Sequence, residues 1–222
     1  MSKAKIAAPI LDAAKAKVET IGSKAEQILA AAVEVFLEHG YANASMDTVA
    51  ARASVSKATI YAHFSSKKAL FEAIIQNRCQ KFGAGKPPPG LDPVEALTEL
   101  GRAIVTLMIA PEGLRMFRVI VGEAGRQAEM AEAFYTGGPA NSLKNLSEVF
   151  ALWDAEGKLS VPNPRHAADL FLTLLRSDFY LRRQLNLPRQ PEEMTEEELV
   201  QRAVSVICTH YARRPKRNEP QP

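Results

Sequence analysis

Cysteine is nearly absent from this 222-residue chain, as are long hydrophobic runs and any alternating strand pattern. Cys79 and Cys208 stand far apart in no metal or redox spacing, so they read as reduced structural thiols and exclude a disulfide scaffold. No apolar stretch approaches the roughly 18 residues that cross a bilayer, and the first segment, MSKAKIAAPILDAAKAKVETIG, scatters lysines where a secretion signal needs an apolar block. These features lead us to expect a soluble cytoplasmic protein with no membrane partner. His39, His63, His166 and His210 follow no ligand spacing, and there is no Gly-rich phosphate loop, nucleophile elbow or HExxH. No cofactor or metal is expected, and nothing marks a catalytic residue. An all-α enzyme or a protein–protein adaptor without DNA binding stays open as the alternative.

What the chain does have is ordinary globular composition, 46% hydrophobic and 24% charged, and a charge that is unevenly placed. Residues 1–86 carry 12 Lys+Arg against 7 Asp+Glu, while the remainder carries 16 against 18. The basic first third points to an anionic partner at that end, although a solvated lysine-rich surface gives the same balance.

Helix signals run throughout. Ser23-Lys24-Ala25-Glu26 has the form of a capping box, followed by Ile28, Ala32, Val35 and Phe36 at helical spacing until Gly40. Ser45 is placed to cap a short helix burying Val49 and Ala53, and Ser56 a third with Ile60 and Phe64 on one face. A fourth helix is expected over 66–82, ending at the Gly83–Gly90 stretch with its three prolines. Asp92-Pro93-Val94-Glu95 opens a helix to about Ala110, and Pro111 starts the next. The pattern from Gln127 to Asp154 is helical but should kink or break at Gly137-Gly138-Pro139. Asn163-Pro164 and the capping box Thr195-Glu196-Glu197-Glu198 open the last two long helices, 164–183 and 195–212. The fold class is all-α, and the end from Arg213 to Pro222 is expected to fray.

Residues 45–64 have the anatomy of a helix-turn-helix. With Ile60 and Phe64 inward, the helical step turns Lys57, Ala58 and Tyr61 outward near the second helix's N-terminus, the end that such proteins press into the major groove. Lys57 suits guanine or phosphate, and Ala58 and the Thr59 methyl suit a thymine methyl. Ser56, Tyr61 and Lys67 suit phosphate oxygens, aided by the positive helix ends at Ser45 and Ser56. Two amphipathic helices that merely pack together would show much of this pattern.

Residues 24–75 also resemble the DNA-binding domain of the tetracycline-repressor (TetR/AcrR) family, most sharply in Val55-Ser56-Lys57-Ala58-Thr59-Ile60-Tyr61-Ala62-His63-Phe64 followed by Lys67 and Leu70. The resemblance implies a homodimer that reads a palindromic double-stranded DNA operator. Each chain would carry a three-helix DNA-binding domain and a larger helical ligand-binding and dimerisation domain. The implied division is an N-terminal extension 1–22, a helix-turn-helix domain 23–68, a regulatory domain 69–213 and a tail 214–222, with helix 66–82 connecting the two domains. The extension's lysines 3, 5, 15 and 17 could reach phosphates, but a solvated or loosely helical tail is the simpler expectation. DNA contacts carry over to Ser45, Ser56, Lys57, Thr59, Tyr61, His63 and Lys67. The turn position usually held by glycine is Ser54; at positive φ it costs on the order of 1 kcal/mol. The run Phe117–Ala124, with Phe134-Tyr135 and Leu170-Phe171-Leu172, resembles the regulatory domain of AefR-like members. The expected function is a ligand-responsive regulator, a repressor released by an unknown small effector.

Met108, Met116, Phe117, Phe134, Phe150 and Trp153 are candidates for an apolar effector pocket, with Arg176, Tyr180 and Arg118 as polar contacts. Any one of them could instead be core. An apolar or amphipathic effector suits them better than a metal does. The helix after Asn163 is apolar on two sides, so its second stripe, with that of the last helix, is expected to form the dimer interface. Phe171, Leu174, Phe179, Val200, Val204, Ile207 and Tyr211 are the residues expected there.

Overall fold

The computed structural model describes residues 4–84, 87 and 90–213, apart from the side chains of 4–23. Among the described residues there is no strand. The Lys residues of the extension, residues 85, 86, 88 and 89 of the Pro-rich stretch and the tail 214–222 lie outside this description.

Among the described residues eleven α-helices and one π-helical turn follow in order: α1 (Ala4–Asn43), α2 (Met46–Arg52), α3 (Lys57–His63), α4 (Lys67–Lys81), α5 (Pro93–Ile109), α6 (Pro111–Glu123), α7 (Ala128–Tyr135), the π turn (Thr136–Ala140), α8 (Asn141–Ala155), α9 (Pro164–Leu175), α10 (Asp178–Gln184) and α11 (Glu196–His210). They group into two compact units. One comprises residues 1–74 with 127–133, the other 75–126 with 134–222.

In the first unit, α1 differs from expectation at its start. The helix is already running at Ala4, so Ser23 lies inside it and not at a helix start, and the extension is continuous with the helix that follows. Ala13, Ala14, Ala16 and the lysines around them are strong helix formers, and no proline stands between them and Ser23, where Gly22 is the weakest helix former of the stretch. Gly40 does interrupt the helix, at φ 71°, a region open to glycine without strain. Ile28, Ala32, Val35 and Phe36 form the buried stripe, and Phe36, Tyr41 and Phe71 pack as an aromatic trio with centroids 5.2–5.7 Å apart. Lys68 pairs with Glu132 at 2.7 Å.

The second unit has one core, centred on Leu97, Leu146, Phe150, Phe171, Leu175, Leu199 and Ile207. Asp92 caps α5 by accepting from the Val94 N–H, and Thr195 and Glu198 complete the capping box of α11. Gly101 lets α5 meet α11 closely, since a Cβ there would stand 2.9 Å from Val200 Cγ1. The 137–139 glycines and proline fall in the π turn between α7 and α8.

Two expectations are corrected in this unit. The helix after Asn163 is not continuous to 183: it ends at Leu175, and Ser177 (φ −43°, ψ −171°) leaves helical geometry before Asp178 opens α10. Ser and Asp compete locally with the helical backbone, which favours a new start there. The residues expected at the dimer interface are also misplaced. Phe171, Phe179, Val200, Val204, Ile207 and Tyr211 are all buried in the core of a single chain, and only Leu174 keeps partial exposure. The two apolar sides of α9 have partners within the chain, α8 and α11.

Candidate nucleic-acid interface and ligand cavity

The helix-turn-helix is set by its caps. The Ser45 hydroxyl accepts from the Thr48 N–H at 3.1 Å and the Ser56 hydroxyl from the Thr59 N–H at 3.0 Å, and each also bonds the threonine hydroxyl at 2.8 Å. Between the helices the turn residue Ser54 sits at φ 52°, so the strain expected of a non-glycine residue is present. Ser54 and Val55 both donate their N–H groups back to α2 carbonyls, and Val55 is half-buried rather than buried.

Ile60 is fully buried and fixes α3 in rotation. The opposite face leaves Lys57, Ala58 and Tyr61 exposed, with Thr59 and His63 half-exposed. Lys57 Nζ lies 2.9 Å from Asp47 Oδ2, and that carboxylate holds the ammonium above its usual pKa. Ser45 and Ser56 remain exposed at the starts of α2 and α3.

Lys67 differs from expectation. Its ammonium donates to the carbonyl oxygens of Tyr41, Ala42 and Ala44 at 2.8, 3.2 and 3.1 Å, and lies 4.6 Å from the Tyr41 ring centroid. An ammonium has three donors, and all three are engaged in closing the end of α1. In the DNA-free chain this ammonium therefore serves the scaffold, and a phosphate contact would have to displace one of these bonds.

The second unit contains a cavity of about 340 Å³. Six of the nine effector candidates line it: Met108, Met116, Phe117, Phe134, Arg176 and Tyr180. Phe117 packs against both Phe134 and Tyr180 with centroids 5.9 Å apart. Phe150 and Trp153 do not line it; they meet edge-to-face in the core, 0% and 4% exposed. Arg118 is turned away as well, donating to the carbonyls of Arg183 and Gln184 at the end of α10. Burial pushes the Tyr180 phenol up, with Arg176 and Gln184 acting in the opposite sense.

Sequence reasoning missed the wall that α4 supplies, Ile75, Arg78 and Cys79. The signal was present: these three share one helical face, and Arg78 is a charge set into an apolar stripe. Gly113 and Gly138 were missed too. A Cβ at Gly113 would stand 2.5 Å from the Leu107 carbonyl oxygen, so the α5–α6 corner requires glycine.

With the geometry described, comparison with known proteins is decisive. The family model for bacterial regulatory proteins of the tetR family matches residues 28–74, and that for the AefR-like transcriptional repressor C-terminal domain matches 95–213. The chain belongs to the TetR family of bacterial transcriptional regulators. It is 48% identical over 59 residues to the HTH-type transcriptional activator FasR of Mycolicibacterium smegmatis, covering 27% of each chain. It is also 35% identical over 108 residues to the HTH-type transcriptional regulator UidR of Escherichia coli K12, covering 47% of this chain and 54% of that one. The matches thus span about a quarter and about half of those relatives' lengths. Among solved structures, the Flavonoid-responsive Regulator FrrA superposes with TM-score 0.65 at 32% identity, over 87% of this chain and 100% of that one. The fold is shared with FadR of Bacillus halodurans, TM-score 0.53 at 20% identity over 83% of this chain and 94% of that one. The family and these relatives are transcriptional regulators, not enzymes. TetR-family regulators bind DNA operators, usually as dimers and with small-molecule ligands. Among the described residues no helix is long and apolar enough to cross a membrane, and no group of three or more His, Cys, Asp or Glu could hold a metal.

Proposed function

We propose that this TetR-family regulator is a repressor that binds a palindromic operator as a homodimer and is released by an apolar or amphipathic effector. The observation that carries the DNA side is the two-faced α3: Ile60 is wholly buried while Lys57, Ala58 and Tyr61 face solvent on the other side. In this reading Lys57, Ala58 and Thr59 meet base edges, and Ser45, Ser56, Tyr61 and His63 contact the phosphate backbone. The DNA-binding part is residues 23–68 and the regulatory part 69–213. Lys57 must leave Asp47 to reach DNA, and an exposed ion pair of that kind is cheaply broken.

The effector side rests on the cavity and its lining of Met108, Met116, Phe117, Phe134, Arg176 and Tyr180. FrrA is named as flavonoid-responsive, which supports an aromatic or amphipathic effector here. Coupling runs through α4, which carries Ile75, Arg78 and Cys79 at the cavity and continues without interruption back to Lys67. The effector must favour a dimer whose two α3 helices no longer match half-sites about 34–36 Å apart.

Selection on random duplexes tests the DNA side. The enriched motif is expected to be a palindrome, and Lys57→Met or Thr59→Ala to cost about 1–3 kcal/mol on it while relaxing its sequence. No enrichment, or an unchanged motif in both variants, refutes the assignment.

A further inference from the structure

The cavity wall carries charge of one sign. Arg78 and Arg176 line it, and no Asp or Glu does so among the described residues. The two arginines are not equivalent. Arg176 is exposed, whereas the Arg78 side chain is only 22% exposed. Its Nε is buried with no acceptor among the described residues. The carboxylate it approaches, Glu112, stands 3.9 Å from Nη2, too far for a hydrogen bond, and is itself 53% exposed. Arg78 also lies over the Phe82 ring at 5.4 Å, which restrains the plane of its guanidinium.

A buried guanidinium nitrogen without a partner is costly unless something supplies an acceptor. Around it the lining is apolar and aromatic: Ile104, Leu107, Met108, Met116, Phe117 and Phe134. Tyr180, whose phenol burial keeps protonated, leaves a neutral O–H on the same lining. Gly138, in the π turn, brings that turn against α4: a Cβ there would stand 3.1 Å from Ile75 Cγ2 and 4.0 Å from Cys79 Sγ. The site therefore presents a fork of donors in an apolar chamber.

We propose that the cavity takes a weak-acid amphiphile, an apolar or aromatic body bearing one carboxylate, sulfonate or ionised phenol, and that Arg78 anchors the anion. This rests on the reading of the cavity as the effector site and adds the chemistry that selects the ligand. Arg78 lies on α4, so the anion bonds directly to the helix through which coupling is proposed to run.

Two dyes with the same body separate the claims. 1-Anilinonaphthalene-8-sulfonate carries an anion, and N-phenyl-1-naphthylamine is the same skeleton without it. Fluorescence titration of the full-length protein should show the sulfonate binding about tenfold tighter or more. Arg78→Met should abolish that preference while leaving the neutral dye's affinity unchanged, which also reports an intact cavity. Arg176→Met should keep most of the preference, and Arg78→Lys, which holds the charge but loses the fork, should fall between. Equal binding of the two dyes to the unaltered protein overturns the anionic anchor and leaves the cavity a ligand site. Binding of neither overturns the effector-site reading and the anchor with it. A preference lost in Arg176→Met but kept in Arg78→Lys and Arg78→Met overturns the assignment to Arg78. If Arg78→Met does not fold, an undiminished preference in Arg78→Lys does the same.

Discussion

Lys67 Nζ donates to the Tyr41 carbonyl oxygen at 2.8 Å and lies over the same residue's ring, 26 positions back along the chain. This one ammonium ties the start of α4 to the end of α1, where Gly40 has interrupted the helix and left carbonyls without intrahelical partners. Tyr41 is itself buried, and burial with the Glu129 carboxylate pushes its hydroxyl up to about 12.

Lys67→Met should therefore act on stability before DNA. Losing charge-assisted bonds to partly exposed carbonyls should cost about 1–2 kcal/mol, read as a lower urea midpoint at unchanged slope. The dependence of DNA affinity on salt should stay as it is, because no phosphate contact has been removed. A salt slope lower by about one unit with an unchanged urea midpoint would return Lys67 to the DNA-binding set.

Ser54 occupies the left-handed region at φ 52° in an exposed turn. Ser54→Gly should raise stability by up to about 1 kcal/mol, the gain from relieved strain being partly offset by a more flexible unfolded chain. Ser54→Ala keeps the strain and serves as the control. Differential scanning calorimetry showing no rise for glycine over alanine would contradict the strain.

Glu197 receives two bonds from Arg102, at 2.8 and 2.6 Å, and one from Gln201 at 2.9 Å. The Arg102 guanidinium first, and then Gln201, hold its carboxyl down at about 2 from an ordinary 4.5. A folded pKa below the unfolded one stabilises the native state above the unfolded value, and the contribution disappears as pH falls through the folded value. Glu197→Gln should then melt below the unaltered protein at pH 7, with the gap closing between pH 4.5 and 2. Added salt should narrow it at pH 7, since the pair is half exposed. A gap independent of pH would mean that the carboxylate's charge plays no part.

Much of this fold was legible from punctuation. The caps at Ser45, Ser56, Asp92, Asn163 and Thr195 are each made by the side chain expected, because capping depends on residues within one turn. The cavity aromatics were legible as a set but not one by one: Phe134 and Phe150 look alike in sequence, and only packing decides that one faces the void and the other the core. The scaffold contacts of Lys67 were hidden for a related reason. A lysine after a recognition helix suits phosphate on charge alone, and the competing carbonyls lie more than twenty residues away. The dimer residues failed because an apolar stripe says that a partner exists and not which chain provides it.

That last error changes how dimerisation must be tested. Val204 is 2% exposed within one chain, so Val204→Glu places a charge in the core and should unfold the protein. Val206, two residues on, is 40% exposed, and Leu174 on α9 is partly exposed. If α9 and α11 form the expected self-complementary face, these are among the apolar side chains that α9 and α11 leave uncovered for it, with Leu170 and Cys208 also partly exposed. Leu174→Glu combined with Val206→Glu should retain full helicity by circular dichroism, sediment as a monomer at micromolar concentration, and lose operator binding because half-sites are no longer read together. A double variant that still sediments as a folded dimer places the interface on other helices, while Val204→Glu that folds normally would contradict the burial of α11 against α5 and α9.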